Sequence, residues 1–378
     1  MTHLPFRYHH LNAILSGYSQ QTLPLDLHIH HYFRAHKALG SQDRGFIAET
    51  IYGLVRWQGL IDYLTNGDTN WEVRLKMLLE KDLQLVSQDS NIPLPARVSF
   101  PDELFSAIKN SHGLEKALEL CRNCNSQAPT TIRVNLLKKT RESLFSDWEN
   151  LFEISLCKHS SVGINFHKKI SFFSQDEFRA GFFEVQDEGS QILADLVQAK
   201  PGDLVLDYCS GSGGKTLAFA PKMNAKGQIF LHDVRSHALV ECKKRLKRAA
   251  IQNAQIVHAD DTARLNKLKK RMDWVLADAP CTGTGTLRRN PDMKWKYTKE
   301  MLERLVGLQR QIFEKALSFL KPGGKIVYST CSLLNEENQE QTEHFMKTYQ
   351  LKQVGPPFQS FPSDGGMDGF YGVVLERI

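Results

Sequence analysis

The chain has 378 residues, a formal net charge of +6 and seven cysteines. Since domains usually hold roughly 100–200 residues, this length predicts two or three of them. No uninterrupted apolar run approaches the roughly 18 residues that span a bilayer, and polar residues break up the N-terminal stretch, which excludes an apolar signal segment. The cysteines are odd in number and widely scattered, which favours reduced thiols. We therefore expect a soluble, cytoplasmic protein, and a monomer.

Three regions with different patterns follow one another along the chain. Residues 1–125 have apolar positions at helical spacing and predict an all-helical domain. The polar stretch from Asn125 to Pro129 marks a boundary, and residues 126–184 predict a small α+β linker domain. Its expected elements are a helix and three short strands: Thr131–Val134, Arg141–Leu151 (the helix), Ser161–Ile164 and Ile170–Phe173.

Residues 185–378 alternate compact apolar strands with helix-length segments, which is typical of an α/β domain. The expected strands are Asp203–Asp207, Gln228–Asp233, Gln255–His258, Asp273–Asp278, Lys325–Ser329 and a final Gly372–Glu376. Strands this apolar are buried on both faces, in a parallel sheet covered by helices. In the usual strand order of this architecture, 3-2-1-4-5, ligands bind beyond the carboxyl ends of the strands.

A glycine-rich turn, Asp207–Thr216, follows the first of these strands. It misses the dinucleotide fingerprint because Thr216 occupies the third glycine position, and it misses the phosphate-binding P-loop because Cys209 occupies the leading one. Aspartates follow or end four strands: Asp207, Asp233, Asp260 and Asp278. Four carboxylates disfavour a polyphosphate but suit a cationic ligand with a ribose and an adenine, and S-adenosylmethionine fits this description. Asp233 would bind the ribose and Asp260 would lie near the adenine, although either could instead cap a helix.

Two cysteines follow predicted neighbouring strands, Cys281 in Asp278-Ala-Pro-Cys and Cys331 in Ser329-Thr-Cys-Ser. Parallel neighbours lie about 4.8 Å apart, so both thiols should emerge side by side, although a lone cysteine is most often a buried hydrophobe. A thiolate that adds to C6 of a pyrimidine makes C5 nucleophilic, and this route needs a nucleophile and a second polar group on one face. Asp278 could bind N3 or N4 of a cytosine, and Lys215 could bind the base or stabilise the thiolate.

Basic residues cluster in the second half of the chain. The clusters are Lys243, Lys244, Arg245, Lys247 and Arg248; Lys267, Lys269, Lys270 and Arg271; and Arg288, Arg289, Lys294, Lys296 and Lys299. With Trp295 among them they predict RNA binding through Arg288, Arg289, Lys294 and Trp295. Solvated helix faces, and a Trp295 that only packs its loop, are the alternatives. Cys121-x-x-Cys124 lacks a second pair of ligands, so no metal site is expected.

The motifs together resemble those of the Sun/RsmB-like RNA cytosine-5 methyltransferases. The resemblance rests on residues 278–295 and 328–332, which hold the two cysteine motifs, and on Val185–Ser190 and Asp368–Phe370. The N-terminal segments Ser41–Ile47 and Tyr52–Arg56 are similar to the NusB-like domain that bacterial members carry. The resemblance implies a Rossmann-like, S-adenosylmethionine-dependent methyltransferase domain (185–378) after an all-helical NusB-like RNA-binding domain (1–125) and the linker domain (126–184).

The same resemblance implies roles for individual residues. Cys331 would be the nucleophile, and Cys281 would assist breakdown of the covalent intermediate. The cofactor contacts would come from Cys209, Ser210, Gly211, Ser212, Gly213, Gly214, Lys215, Asp233, Asp260 and Asp278. The usual substrate would be ribosomal RNA, here 16S. Ser212 stands where the family commonly has a proline, which affects only the details of contacts with the methionine end.

Other functions remain open from the sequence alone. In a DNA cytosine-5 methyltransferase Cys281 would attack and Cys331 would be incidental; tRNA is another possible substrate. A NusB-type RNA-binding protein with an inactive methyltransferase scaffold is an alternative from another class, but the intact cysteines, Lys215 and the acidic positions argue against it. A P-loop nucleotide hydrolase is disfavoured by Cys209.

Overall fold

A computed structural model describes residues 4–18, 23–168 and 170–378. Its contacts divide the chain into a helical unit, formed by residues 1–127 with 286–301, and a mixed unit, formed by residues 128–285 with 302–378. Among the described residues, no helix has both the length and the apolar character needed to cross a membrane.

The secondary structure runs in the following order along the chain. The helices are α1 (Leu4–Gly17), α2 (Leu25–Ala35), α3 (Ser41–Leu64), α4 (Trp71–Glu80), α5 (Leu83–Val86), α6 (Leu94–Arg97), α7 (Asp102–His112), α8 (Leu114–Cys124), α9 (Arg141–Trp148), α10 (Asp176–Arg179), α11 (Glu188–Asp195), α12 (Thr216–Phe219), α13 (Ser236–Ala249), α14 (Thr262–Leu268), α15 (Met293–Lys296), α16 (Lys299–Leu317) and α17 (Gln339–Tyr349). The strands are β1 (Thr130–Val134), β2 (Ile154–Leu156), β3 (Gly163–Phe166), β4 (Phe183–Val185), β5 (Leu204–Asp207), β6 (Gln228–Asp233), β7 (Ala254–His258), β8 (Met272–Asp278), β9 (Leu320–Thr330), β10 (Leu351–Gln353), β11 (Phe358–Ser360) and β12 (Phe370–Arg377). Short 3-10 turns occur at Phe172–Ser174, Ala220–Met223, Thr284–Thr286 and Asn335–Glu337.

The large sheet of the mixed unit has the order β10-β12-β9-β8-β5-β6-β7, with β11 paired to β12. Strands β5 to β9 pair in parallel, and β12 joins β9 antiparallel. Apolar side chains of the strands are buried on both faces, against α16 and α17 on one side and against α12 and α13 on the other. The predicted order 3-2-1-4-5 and the α/β fold of this region are therefore confirmed.

A smaller antiparallel sheet of the mixed unit has the order β2-β3-β1-β4. Its core is aromatic, with Trp148 of α9 packed against Phe166 and Phe183. The expected strand at Ile170–Phe173 is wrong. Phe172 begins a 3-10 turn and buries its ring 4.8 Å from that of Phe166, so the apolar run serves to place one aromatic side chain.

Contacts within the mixed unit tie the small sheet to α13. The carboxylate of Glu184 in β4 pairs with Arg245 at 3.0 Å and Arg248 at 2.5 Å. The side-chain amide of Asn135 donates to the carbonyls of Gly181 and Ala249. Arg245 and Arg248 belong to the first basic cluster, so part of that cluster is used inside the protein, whereas Lys243, Lys244 and Lys247 are exposed.

The helical unit is built around α3, whose apolar residues recur at spacings of three and four. Ile47, Ile51 and Leu54 of this helix are buried against residues of α1 and α2. Segment 286–301 completes the unit. The ammonium of its Lys294 is fully buried and donates to the carbonyls of Arg56 and Ser99 and to Asn125 Oδ1, at 2.7, 2.9 and 2.9 Å.

Burial lowers the pKa of Lys294 to about 7. We predict that Lys294→Met destabilises the protein by about 2–4 kcal/mol, because three buried acceptors lose the amine that donates to them. The free energy of unfolding in urea measures this. Lys116→Met is the matched control, since Lys116 lies on the surface of α8 with its side chain 37% exposed and forms an ion pair with Glu119, and its loss should cost at most about 0.5 kcal/mol. Equal stability of the two variants would contradict the prediction.

Candidate active site

The two cysteines of the sequence motifs meet at the carboxyl end of the large sheet. In the parallel pairing of β8 with β9, Asp278 lies opposite Ser329, so both chains leave the sheet at the same level. Cys281 Sγ lies 3.4 Å from Cys331 Sγ, and the Cys331 amide also points at Cys281 Sγ at 3.4 Å. Both side chains are half-buried, in contrast to the fully buried Cys121, Cys124, Cys157 and Cys242. The structure thus brings together the pair that the motifs predict.

The environment of the two thiols is unequal. The hydrogen bond with Cys331, burial, and the negative charges of Cys331 and Glu337 raise the pKa of the Cys281 thiol well above its ordinary value. Cys331 instead lies within electrostatic range of the Lys215 ammonium. The arrangement therefore disfavours the thiolate form of Cys281 and places a cation near Cys331.

Lys215 and Asp278 form an ion pair beside the thiols. Burial would lower the pKa of Lys215, but attraction to Asp278, with smaller contributions from Cys331 and Asp207, raises it. The second oxygen of Asp278 accepts a hydrogen bond of 2.9 Å from Ser329 Oγ. Both charged groups are therefore fixed at the strand ends, within reach of a molecule bound at the cysteines.

The glycine-rich turn approaches its neighbours too closely for side chains at key positions. Gly213 has φ of +80°, and a Cβ there would lie 2.6 Å from Cys242 Sγ. The Gly211 amide donates to Asp233 Oδ2 at 2.8 Å. Ser212, at the position of the family's proline, accepts from Arg245 through its Oγ at 2.6 Å and through its carbonyl at 3.1 Å. The turn is thus held against β6 and α13.

Acidic and hydroxyl groups beside this turn fit a cationic nucleoside ligand. Asp207 Oδ1 and Ser210 Oγ are buried and have no hydrogen-bond partner in the described part of the chain. Burial raises the pKa of Asp207 to about 7, although a 2.7 Å hydrogen bond from Thr216 lowers it. Burial would also raise the pKa of Asp233, but bonds from Arg235 and Gly211 hold it below its ordinary value. Asp260 is exposed, in the turn after β7.

The predicted RNA-binding set needs correction. Segment 286–301, which the sequence assigns to the C-terminal domain, groups with the helical unit. Lys294 is fully buried and Arg288 is 2% exposed, so neither side chain is available at the surface for phosphate contacts. Trp295 donates its indole N–H to the Val55 carbonyl at 2.8 Å and packs in the helical core. This agrees with the alternative in which Trp295 packs its loop and does not contact RNA. Arg289 is half-buried.

Comparison with known proteins identifies the family. A family model described as 16S rRNA methyltransferase RsmB/F matches residues 194–373, and an RsmF/B-like ferredoxin-like domain model matches residues 100–172. The ribosomal RNA small subunit methyltransferase B of Vibrio cholerae is 30% identical over 357 residues, which cover 91% of this chain and 77% of that protein. The chain belongs to the RsmB/F family of methyltransferases.

Other members and a solved structure extend the comparison. The ribosomal RNA small subunit methyltransferase B of Vibrio vulnificus is 33% identical over 261 residues, covering 67% of this chain and 61% of that protein. The chain thus spans about three fifths of the length of this RsmB relative. The crystal structure of PH0851 superposes with a TM-score of 0.82 at 23% identity and covers 97% of each chain, which shows a shared fold.

Sequence reasoning missed three buried polar residues behind the cysteines of this RsmB/F chain, namely Thr282, Gln309 and Glu337. All three are at most 3% exposed, and Thr282 and Gln309 each donate hydrogen bonds to Glu337. Glu337 stands in a strongly polar run, Asn335–Glu340, that looks like a solvated helix start, and only its contacts reveal that it is internal.

Asp207→Asn should change how stability depends on pH. The pKa of Asp207 is about 7 in the folded protein and near 4 in an unfolded chain. Between these values the folded protein keeps a proton that the unfolded chain releases, so raising the pH favours unfolding. We expect wild type to lose stability relative to D207N as the pH rises from about 4 to about 7, and urea unfolding at several pH values measures this. The exposed Asp176→Asn should track wild type. Parallel curves for wild type and D207N would contradict the raised pKa.

Proposed function

We propose that this chain is an S-adenosylmethionine-dependent methyltransferase that forms 5-methylcytosine in 16S ribosomal RNA through a covalent bond between Cys331 and the base. The observation that carries the proposal is the pair of thiols 3.4 Å apart at the carboxyl end of a methyltransferase sheet. Membership of the RsmB/F family and the printed names of the relatives support ribosomal RNA as the substrate.

The proposed chemistry assigns a different task to each cysteine. The Cys331 thiolate bonds to C6 of the cytosine, and the electron pair of the C5–C6 double bond moves to C5. C5 then takes a methyl group from S-adenosylmethionine, and the donor is left as S-adenosylhomocysteine. Loss of the C5 proton to a base restores the double bond while the C6–S bond breaks, and Cys331 leaves as a thiolate. Cys281, 3.4 Å away, assists this last step.

The charges around the thiols support Cys331 as the attacking residue. The raised pKa of Cys281 keeps that thiol protonated at neutral pH, whereas Lys215 is placed to stabilise a thiolate on Cys331. The alternative of a DNA cytosine-5 methyltransferase needs Cys281 to attack, and this environment disfavours it. Asp278, oriented by Ser329 and Lys215, is proposed to bind N3 or N4 of the cytosine.

The carboxyl ends of β5 and β6 are proposed to hold the cofactor. Asp233 would accept from the ribose hydroxyls, and the turn from Cys209 to Lys215 would lie along the cofactor. The unpartnered oxygens of Asp207 and Ser210 suit its ammonium and other donors. Asp260 is proposed near the adenine, at the end of the neighbouring strand β7.

The domain organisation is proposed as a NusB-like RNA-binding domain (1–125), a linker domain (126–184) and a methyltransferase domain (185–378). The helices of the described residues up to 125 support the first of these domains. The ferredoxin-like match at 100–172 overlaps the proposed linker domain but begins within the helical region. The exposed lysines Lys243, Lys244 and Lys247 of α13 are available for RNA contact.

The two cysteine variants test the proposed mechanism. With 16S RNA and S-adenosylmethionine, Cys331→Ala should abolish methylation and form no covalent adduct, because the nucleophile is missing. Cys281→Ala should accumulate a protein–RNA adduct, because release fails. Denaturing gels with labelled RNA and transfer of labelled methyl groups measure both. The reverse pattern would overturn the assignment, and Cys157→Ala, next to the small sheet and outside the glycine-rich turn, is the control.

The cofactor site is tested by Asp233→Asn. Loss of the charge should weaken binding of S-adenosylmethionine about tenfold or more, because a charge-assisted hydrogen bond to the ribose becomes a neutral one. Isothermal titration calorimetry measures the affinity, and thermal unfolding monitors the fold. Asp176→Asn, far from the turn in sequence and exposed, should bind like wild type. Unchanged affinity in D233N would exclude the proposed ribose contact.

A further inference from the structure

A buried carboxylate lies directly behind the cysteine pair. Glu337, in the 3-10 turn Asn335–Glu337, is fully buried. Its Oε1 accepts from the Thr282 amide and from Gln309 Nε2, both at 2.9 Å, and its Oε2 accepts from Thr282 Oγ1 at 2.5 Å. Ser332 also contributes a side-chain hydrogen bond. These donors are all neutral. Burial raises the pKa of the Glu337 carboxyl group, and the hydrogen bonds from Ser332, Thr282 and Gln309 oppose this rise.

The partners of Glu337 are the residues that follow the two cysteines. Thr282 follows Cys281 and Ser332 follows Cys331, and their hydroxyl oxygens lie 3.3 Å apart. Gln309 reaches from α16 to the other side of Cys281, where it donates to the Pro280 carbonyl at 3.1 Å. One carboxylate and one amide therefore hold the backbone on both sides of Cys281.

The charged groups around the pair are arranged asymmetrically. The hydrogen bond with Cys331 and burial raise the pKa of Cys281 most, and the charges of Cys331 and Glu337 raise it further. The ammonium of Lys215 acts on Cys331 and is paired with Asp278 on its other side. Tyr328 in β9, another titratable group near Cys281, donates its hydroxyl to the Glu337 carbonyl at 2.7 Å and carries no charge at neutral pH. Arg310 of α16 is a further charged group that acts on Tyr328. The carboxyl group of Glu337 thus lies behind the loop of Cys281, whereas the ammonium of Lys215 lies near Cys331.

We propose that Glu337 is a positioning residue that fixes the loop of Cys281 and keeps this thiol protonated, so that Cys281 donates a hydrogen bond to the sulfur of Cys331. The inference rests on the proposed function for its catalytic consequence. When the C6–S bond breaks, negative charge develops on the Cys331 sulfur, and a neutral S–H 3.4 Å away stabilises it. In this way Glu337 favours Cys281 as the residue that assists release and Cys331 as the residue that attacks the base.

The first test measures the Cys281 thiol and needs neither RNA nor cofactor. In a Cys331→Ala background, which removes the coupling between the thiols, the rate of alkylation of Cys281 by iodoacetamide is followed against pH by peptide mass spectrometry. Glu337→Gln retains the shape but removes the charge, and it should lower the midpoint by about one pH unit, which corresponds to about tenfold faster alkylation at pH 8. Glu343→Gln, an exposed position on α17, should match the C331A parent.

A merely structural role gives a different profile. Loosening of the loop raises the rate by the same factor at every pH and leaves the midpoint in place, and that result would overturn the proposal. An unchanged profile would overturn it as well. Neither outcome bears on the proposed function, which fails separately if the wild-type protein transfers no methyl group to RNA.

The second test follows turnover in the otherwise wild-type enzyme. E337Q should form the protein–RNA adduct at the normal rate and release methylated RNA about tenfold more slowly, so adduct accumulates as in Cys281→Ala. If E337Q does not fold, Thr282→Val replaces it, because valine has the shape of threonine without the hydroxyl that bonds Glu337. Slow release in T282V that is restored in Thr282→Ser supports the inference. Release at the wild-type rate in T282V would overturn it.

Discussion

The parallel pairing of β8 with β9 is the constraint on which the site depends. Asp278 lies opposite Ser329 in this pairing, and only two residues then separate Asp278 from Cys281 and one separates Ser329 from Cys331, which brings the two thiols to contact distance. A slip of one residue in the register would turn every side chain of one strand to the opposite face of the sheet. Apolar residues on both faces of these strands resist such a slip, so the packing of the core sets the distance between the thiols.

Polar groups buried behind the sheet edge also help to hold the two cysteines that the strand pairing brings together. Glu337, Gln309 and Thr282 are buried, and burying a carboxyl group is costly even when neutral donors satisfy its oxygens. Proteins retain such groups where function requires them. Asp207 and Lys215 show the same pattern beside the glycine-rich turn, each with a pKa shifted by its surroundings.

The architecture of the large sheet was predictable because its signals are local. Short apolar runs such as Asp273–Asp278 identify buried strands by themselves, and the usual order of such sheets then places Cys281 and Cys331 together. Features that depend on distant partners were not predictable. Lys294 looks like an RNA contact beside Arg288 and Arg289, and only the surrounding carbonyls of residues 56 and 99 show it to be internal. Glu337 was missed for the same reason, and the run at Ile170–Phe173 resembled a strand although only one ring is deeply packed.

The membership of segment 286–301 in the helical unit has a consequence for dissecting this protein. The segment begins five residues after Cys281, and its Lys294 and Trp295 fill the interior formed by residues 1–127. A fragment that starts at residue 128 would keep the segment but lose that interior, leaving a buried ammonium and an indole without their partners. The N-terminal helices alone would have a gap in their core where Trp295 packs. The chain is therefore divisible into two units in space but not by a single cut in sequence.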